Sequence, residues 1–104
     1  MPEAHQVVIT DEALLDLEAI AEFIRVSSPA NAARVCNTLV DAIDSLRYMP
    51  TRCRRVGASR KRRTSVRALS VRPFIVYFRL DSVAHTVYVL AVRHGRRQQL
   101  ESPS

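Results

Sequence analysis

The sequence predicts a single α+β domain in which a helical hairpin packs on one face of a small antiparallel sheet. Three observations carry this prediction. Apolar residues recur at helical spacing between residues 11 and 46, β-branched and aromatic runs fill residues 66–93, and 104 residues suffice for one hydrophobic core. The predicted order is strand, helix, helix, strand, strand, strand, so residues 1–104 form one domain. Its ends, residues 1–5 and 98–104, are expected to be flexible.

The first half of the chain is predicted to contain one strand and both helices. The apolar run His5–Thr10 predicts the strand, and the threonine that ends it is a suitable cap for a first helix that ends near Val26–Ser27. Ser28 and Pro29 are the residue types favoured at an N-cap and a first helical position, and Pro50 stops the second helix. Because the link is short, the helices are expected to pack antiparallel.

The second half is predicted to form a loop followed by three antiparallel strands. Residues 51–65 have no apolar periodicity and are rich in arginine, which predicts a loop. The segments Val66–Arg72, Phe74–Leu80 and Thr86–Arg93 are rich in Val, Ile, Phe and Tyr, and turn residues separate them. The predicted sheet therefore contains these three strands in addition to the N-terminal one.

Charge divides the chain at its middle. Residues 1–50 carry three arginines against eight carboxylates, whereas residues 51–104 carry thirteen basic side chains against two carboxylates. Of the sixteen basic residues fifteen are arginine, whose planar fork binds phosphate or carboxylate with two hydrogen bonds. Such a basic half predicts an acidic partner, either nucleic acid or an acidic protein segment.

Other features bound the class of protein. No apolar run approaches the roughly 20 residues that span a bilayer, and the N-terminus does not resemble a signal peptide, so a cytoplasmic protein without a membrane partner is expected. Cys36 and Cys53 are too few for a disulfide framework and lack metal-ligand spacing, so no metal or cofactor is expected. Cys36 falls on an apolar stripe and is expected to be buried and inert. Cys53 lies among arginines, which are expected to lower its pKa.

The candidate binding residues cluster near the end of the last strand. Arg93, His94, Arg96 and Arg97 follow one another there, and Arg67 on a neighbouring strand is expected to join them on one rim of the sheet. Such a cluster can bind phosphates or an acidic peptide. Two alternatives remain open at this stage: Arg67 pairs with an acidic side chain of the first helix, and His94 only closes the end of its strand.

No standard catalytic arrangement is evident in the sequence. There is no serine–histidine–aspartate order typical of a triad, no glycine-rich phosphate loop and no histidine pair for a metal. Metal-independent phosphodiester cleavage by arginine, lysine, histidine and tyrosine remains chemically possible. The segment after residue 97, however, contains neither tyrosine nor histidine to act as a base.

Several segments in order resemble the ParE/RelE superfamily of type II toxin–antitoxin toxins. They are the helix-one pattern Ala13…Asp16-Leu17…Ile20…Ile24, Ser28-Pro29…Ala32-Ala33, Leu46…Pro50, Val66-Arg67-Ala68-Leu69, Phe74-Ile75-Val76-Tyr77, and Val89 through Arg97. The sequence departs from the family pattern in the basic loop, where the glycine stands at position 57. The matching segments cover about 85 residues and imply the RelE/ParE-like fold.

The resemblance implies a toxin, and two activities are known in the superfamily. ParE-like members poison DNA gyrase, and RelE-like members cleave mRNA on the ribosome. The missing terminal base and the Ser-Pro helix junction favour a ParE-like gyrase inhibitor that acts by binding, with no catalytic residue. An acidic ParD-like antitoxin would then form a hetero-oligomer with it. The alternatives are a RelE-like ribosome-dependent mRNA endonuclease and a non-toxic homologue that retains antitoxin binding.

Overall fold

A five-stranded sheet covered on one face by two helices forms the domain. The computed structural model describes residues 4–59 and 64–95. The strands lie in the order β1-β5-β4-β3-β2, with β1 parallel to β5 and all other neighbours antiparallel. The elements are β1 (Gln6–Ile9), α1 (Asp11–Ser27), α2 (Pro29–Asp44), β2 (Arg54–Ser59), β3 (Thr64–Val71), β4 (Phe74–Asp81) and β5 (Thr86–His94).

The two predicted helix caps are confirmed. Thr10 Oγ1 accepts a hydrogen bond from the Ala13 amide at 3.3 Å, and the same hydroxyl donates to the Val89 carbonyl at 2.7 Å. Ser28 Oγ accepts from the Asn31 amide at 3.3 Å and so begins α2. A side-chain oxygen at the cap satisfies amides that have no partner within the helix. These caps fix the start of both helices, and α1 ends at residue 27 as predicted.

The hydrophobic core lies between the helices and the sheet. Val76 and Phe78 of β4 and Val89 of β5 are fully buried, and Leu39 and Ile43 of α2 pack against them. On β4 the buried core residues alternate with residues that point to the opposite face, as expected for a strand covered on one side. On β5 the alternation is interrupted by a bulge opposite Tyr77 and Phe78, so Val89 and Val92 both face the core. No helix among the described residues has the length and apolar composition to cross a bilayer.

The segment predicted as a loop contains a strand, which is a correction to the sequence-based expectation. Residues 54–59 form β2, which pairs with β3 at the edge of the sheet. Four strands rather than three therefore follow the helices. The local pattern hides β2 because a bulge between Arg55 and Gly57 breaks its alternation, and pairing with β3 supplies the hydrogen bonds that define it. Residues 60–63 of the predicted loop lie outside the described residues.

The other differences concern ends of elements. The second helix ends at Asp44 rather than just before Pro50, and two short 3₁₀ turns, Ser45–Arg47 and Pro50–Arg52, follow it. Of the predicted flexible ends, residues 1–3 and 98–104 lie outside the described residues. The backbone amide of His5 donates to the Arg47 carbonyl at 2.7 Å, so residue 5 is held against the first of these turns.

Candidate macromolecule-binding surface

The sheet has a second face that the helices do not cover, and we call it the helix-free face. The strand register shows which residues belong to this face, because residues directly opposite each other in an antiparallel pair point to the same side of the sheet. Ile75 lies opposite Arg93, and Arg79 lies opposite Tyr88. The described residues of this face include Arg54 on β2, Val66, Ala68 and Ser70 on β3, Ile75, Tyr77, Arg79 and Asp81 on β4, and Thr86, Tyr88, Ala91 and Arg93 on β5.

The centre of the helix-free face combines cations with aromatic rings. The Arg79 guanidinium carbon lies 4.9 Å from the centroid of the Tyr88 ring, which is within cation–π distance. Arg79 and Tyr88 are half-buried, and so is Tyr77, which lies on β4 with Arg79. Apart from the contact with Tyr88, the Arg79 side chain has no hydrogen-bond or ion-pair partner among the described residues. Its donors therefore remain available to a partner's phosphate or carboxylate.

Arg93 lies at the junction of the helix-free face and the edge of β5. Its Nε lies 3.5 Å from Asp16 Oδ2 of α1. The same Asp16 oxygen accepts a hydrogen bond from the Val92 amide at 2.9 Å. Because β1 pairs with β5 only as far as Val89, Asp16 supplies an acceptor to an amide that no β1 residue reaches. Asp16 thus both caps the strand edge and positions Arg93.

His94 points to the helix-covered side of the sheet, not to the side of Arg93. It lies opposite Phe74, and the two rings meet edge to face with centroids 5.7 Å apart and an interplanar angle of 80°. The next residue, Gly95, donates its amide to the Pro73 carbonyl at 2.8 Å. A Cβ at position 95 would lie 3.2 Å from that carbonyl oxygen, so the chain passes very close to the β3–β4 turn. His94 is therefore held beside this turn.

Arg67 is buried beneath the segment that leads into β2. It lies opposite Phe78 on the helix-covered side and is only 9% exposed. Its Nη1 donates to the carbonyls of Cys53 at 2.9 Å and Thr51 at 3.2 Å, and its Nε donates to Ser65 Oγ at 3.0 Å. The acceptors are two backbone carbonyls and a serine hydroxyl, and no carboxylate of α1 among the described residues accepts from Arg67. Arg67 instead joins residues 51–53 to β3.

The three predicted binding residues that the structure describes, Arg67, Arg93 and His94, therefore do not converge on one rim. Arg67 and Arg93 point to opposite faces of the sheet, and Arg67 pairs with Phe78 whereas Arg93 pairs with Ile75, three residues away along β4. Arg93 and His94 are neighbours in sequence but also point to opposite faces. Arg96 and Arg97 lie outside the described residues. Of the five, Arg93 is the described residue that the structure places on the helix-free face.

Sequence reasoning missed the pair formed by Arg79 and Tyr88. The turn between β4 and β5 could have revealed this pair, because it sets the register of the two strands. Asp81 Oδ1 accepts from the amides of Val83 at 3.1 Å and Ala84 at 3.0 Å, which is typical of an aspartate that begins a turn. Asp81 pairs with Thr86, and two residues further along each strand this register places Arg79 directly opposite Tyr88.

The expectation for Cys53 is wrong in direction. Its thiol is buried, and this burial raises its pKa above the ordinary value of 9.0. Arg52 and Arg67 have the opposite effect on that pKa, but the loss of hydration is larger. Cys53 therefore remains a neutral thiol near pH 7 and serves as a core residue. Cys36 is half-buried, and both cysteines are free.

The described surface indicates a class of protein. It is a small α+β domain whose sheet displays arginine and tyrosine side chains on the side away from the helices. Guanidinium groups bind anions, and phenol rings pack against apolar or base surfaces. The described residues of this face include no imidazole. These groups fit a domain that binds an acidic macromolecule.

Comparison with known proteins gives the family. Residues 7–99 match the family described as the ParE toxin of the type II toxin–antitoxin system parDE. The chain is also 34% identical over 93 residues to Toxin RelE2 of Caulobacter vibrioides, an alignment that covers 88% of this chain and 97% of that protein. The chain belongs to the ParE toxin family, within the wider ParE/RelE superfamily that the sequence segments indicated.

Solved structures show the same fold. The chain resembles one in the chromosomal ParDE system of P. aeruginosa with a TM-score of 0.71, 21% identity, and coverage of 88% of this chain and 96% of that one. A chain of the archaeal RelE–RelB complex of Pyrococcus horikoshii OT3 gives a TM-score of 0.68 at 10% identity, with 90% and 98% covered. A chain of the RelBE2 toxin–antitoxin complex of Mycobacterium tuberculosis gives a TM-score of 0.58 at 21% identity. The match covers 90% of this chain and 94% of that one.

Proposed function

We propose that this toxin inhibits DNA gyrase by binding it, and that an acidic antitoxin of the ParD type neutralises the toxin. The match of residues 7–99 to toxins of parDE systems carries the proposal. In this account the helix-free face provides the contact with the target. Arg93, His94, Arg96 and Arg97 remain candidate contacts for the target or the antitoxin. Arg79 and Tyr88 are added to them, and Arg67 is assigned a supporting role.

The chemistry of the described surface supports binding of an acidic partner and disfavours cleavage that depends on His94 or Arg67. A metal-independent nuclease must place a general acid and a general base beside the group that stabilises the developing negative charge. His94 points to the opposite side of the sheet from Arg79 and Arg93, and hydrogen bonds to backbone carbonyls hold Arg67. The helix-free face therefore offers cations and phenols suited to holding an acidic surface.

The charge of the chain supports an acidic antitoxin as partner. The net charge is +6, with the positive charge in the second half of the sequence. The structural relatives come from a ParDE system and from RelE–RelB and RelBE2 complexes. An acidic, partly disordered antitoxin segment that folds on the basic surface of the toxin would combine charge pairing with apolar burial. The resulting species would be a cytoplasmic toxin–antitoxin hetero-oligomer.

The test is a gyrase assay with the purified full chain. We expect loss of supercoiling, accumulation of cleaved DNA, and reversal of both effects when antitoxin is added. Arg79→Ala together with Arg93→Ala should weaken inhibition about tenfold or more, because two cations that face the target are lost. Arg25→Ala together with Arg34→Ala removes two exposed arginines from the helices and serves as the matched control. Absence of inhibition by folded wild-type protein at all concentrations would refute the gyrase proposal.

The second candidate is a ribosome-dependent mRNA endonuclease, because a relative that is 34% identical is named Toxin RelE2. Toeprinting of mRNA on stalled ribosomes separates the two candidates. A-site cuts that disappear in Arg97→Ala, with gyrase unaffected, would favour the nuclease. A third candidate is a homologue that binds antitoxin without being toxic. Normal growth of cells that contain soluble, folded toxin and no antitoxin would favour this one.

A further inference from the structure

Two histidines that are far apart in the sequence meet at one end of the sheet. Strand β1 pairs with β5 in parallel, and the pairing starts with Gln6 beside Thr86. The residues that precede this pair, His5 and His85, are therefore neighbours, and their ring centroids are 5.3 Å apart with a tilt of 46°. The Gln6 amide donates to the His85 carbonyl at 2.9 Å and holds the two backbones together. Because only the fold joins the two imidazoles, no such pair is evident in the sequence.

One ring nitrogen of this pair lacks a partner. His5 Nδ1 is buried and makes no hydrogen bond to any described residue. A buried polar atom without a partner is costly, and an imidazole nitrogen that carries no proton can accept a hydrogen bond or bind a metal ion. His85 is exposed, so the pair is open to solvent on that side. An ion can therefore approach the two rings without any opening of the core.

The separation of the rings matches two imidazoles that share one metal ion. Zinc lies about 2.1 Å from each ligand nitrogen, and its tetrahedral ligands are about 109° apart. With the ion in the plane of each ring, these values place the two ring centroids about 5 Å apart. The observed distance is 5.3 Å. Binding therefore requires rotation of the rings, so that one nitrogen of each is directed at the ion, and no movement of the backbone.

The donor atoms and the nearby charges select the class of metal. Imidazoles suit zinc, nickel and copper ions, whereas magnesium and calcium prefer oxygen ligands. The His5 amide donates to the Arg47 carbonyl at 2.7 Å, so a basic residue lies beside the pair. Arg47 Nε lies 2.6 Å from Asp44 Oδ1, and this ion pair offsets the positive charge. No group of three or more His, Cys, Asp or Glu residues in the described part of the chain could hold a metal, so water would complete the coordination.

We propose that His5 and His85 form a two-imidazole site for a divalent transition metal of the zinc class. The ion ties the start of β1 to the turn between β4 and β5. Because β1 has only four residues, a link at its start stabilises its place in the sheet. With two protein ligands in place of the four of a structural zinc site, the expected Kd is on the order of 10 µM. The proposal does not rest on the proposed function.

The test is a zinc chloride titration of the full-length chain without an affinity tag, followed by calorimetry and by NMR of the histidine rings. We expect one ion per chain and saturable shifts of the His5 and His85 ring signals, with no shift at His94. His85→Asn removes one imidazole and suits the position, because φ is 50° there and asparagine tolerates left-handed backbone. This variant and His5→Gln should each weaken zinc binding about tenfold or more.

Thermal unfolding gives a second readout that depends on the link between the strands. Free zinc at about 100 times Kd should raise the Tm of the wild type by about 10 °C, because the ion binds the folded state, in which the two rings are together. The Tm of His85→Asn should rise by much less under the same conditions. An equal rise in both proteins would contradict a site that includes His85.

Matched controls separate a built site from adventitious binding at the surface. His94→Gln removes the third histidine of the chain and should leave the zinc affinity unchanged. Magnesium chloride should shift neither His5 nor His85. Equal zinc affinity of the wild type and His85→Asn, or equal weakening by His85→Asn and His94→Gln, would overturn the proposal, and so would the absence of ring shifts up to about 1 mM zinc. The result is independent of gyrase, because no step of the test uses the target.

Discussion

Replacing Arg67 tests whether this residue supports the fold or contacts a partner. Arg67→Met keeps the apolar stem and removes all donors. Three hydrogen bonds are lost, to Cys53 O, Thr51 O and Ser65 Oγ. A hydrogen bond from a charged donor contributes about 1.5–3 kcal/mol. Thr51 is exposed, so water can replace the Arg67 donor at its carbonyl. The lost stability therefore comes from the other two hydrogen bonds, at roughly 1.5 kcal/mol each.

The expected loss in free energy of unfolding is therefore about 3 kcal/mol, which corresponds to a fall in Tm of about 12 °C for a domain of this size. Urea denaturation followed by circular dichroism measures it. Arg55→Met is the matched control, since Arg55 lies directly opposite Arg67 on β2, is exposed, and should change stability by less than about 0.5 kcal/mol. Arg67→Lys keeps the charge with fewer donors and should fall between the two.

One result would refute this assignment of Arg67. If Arg67→Met unfolds within about 0.5 kcal/mol of wild type yet fails to inhibit its target, the guanidinium acts on the partner and the backbone bonds matter little. Loss of stability together with unchanged inhibition, measured at a temperature where the variant remains folded, is the result that the structure predicts.

Four further predictions concern the caps and the buried thiol. Asp16→Ala should lower stability by about 1–3 kcal/mol, because the Val92 amide loses its charged acceptor. Thr10→Ala should cost about 1–2 kcal/mol, since the hydroxyl both caps α1 and donates to β5. A thiol reagent at pH 7.5 should label the half-buried Cys36 before Cys53. Because burial raises the pKa of Cys53, the folded state holds that proton more tightly than the unfolded state. Its contribution to stability is complete below pH 9.0 and is lost as the pH rises above that value.

Each of these predictions has its own control. Asp16→Asn keeps a neutral acceptor for the Val92 amide and should recover part of the stability, and Thr10→Ser should recover most of it. If Asp16→Asn or Thr10→Ser lost as much stability as the corresponding alanine variant, the hydrogen-bond explanation would be contradicted. Labelling of Cys53 in urea should match that of Cys36, whereas fast labelling of Cys53 in the native protein would show that it is not buried. For the pH prediction, Cys53→Ala should remove the alkaline loss, and an unchanged loss would assign it to another group.

Local signals in the sequence were sufficient for the helices and insufficient for the site. Thr10, Ser28 and Pro29 act within a few residues of their own position, so both helices could be predicted together with their starts. Strand β2 depends on pairing with β3, and the bulge after Arg55 hides the alternation that would have revealed it. A local pattern cannot contain that information.

The binding surface depended on register, which no single strand contains. Alternation along β3 placed Arg67 on one of two faces, and only its pairing with Phe78 showed that this face is covered by helices. The same information places Arg79 beside Tyr88 and separates His94 from Arg93. Residue types near the end of the last strand indicated an anion-binding surface, but three-dimensional pairing determines which arginines remain available.

The most direct test of the central claim is a DNA gyrase supercoiling titration with wild-type toxin and with the Arg79→Ala, Arg93→Ala double variant. We expect inhibition with accumulation of cleaved DNA by the wild type, weakening of about tenfold or more in the variant, and unchanged potency in the Arg25→Ala, Arg34→Ala double variant. Supercoiling that continues at every concentration of folded wild-type toxin would contradict the account.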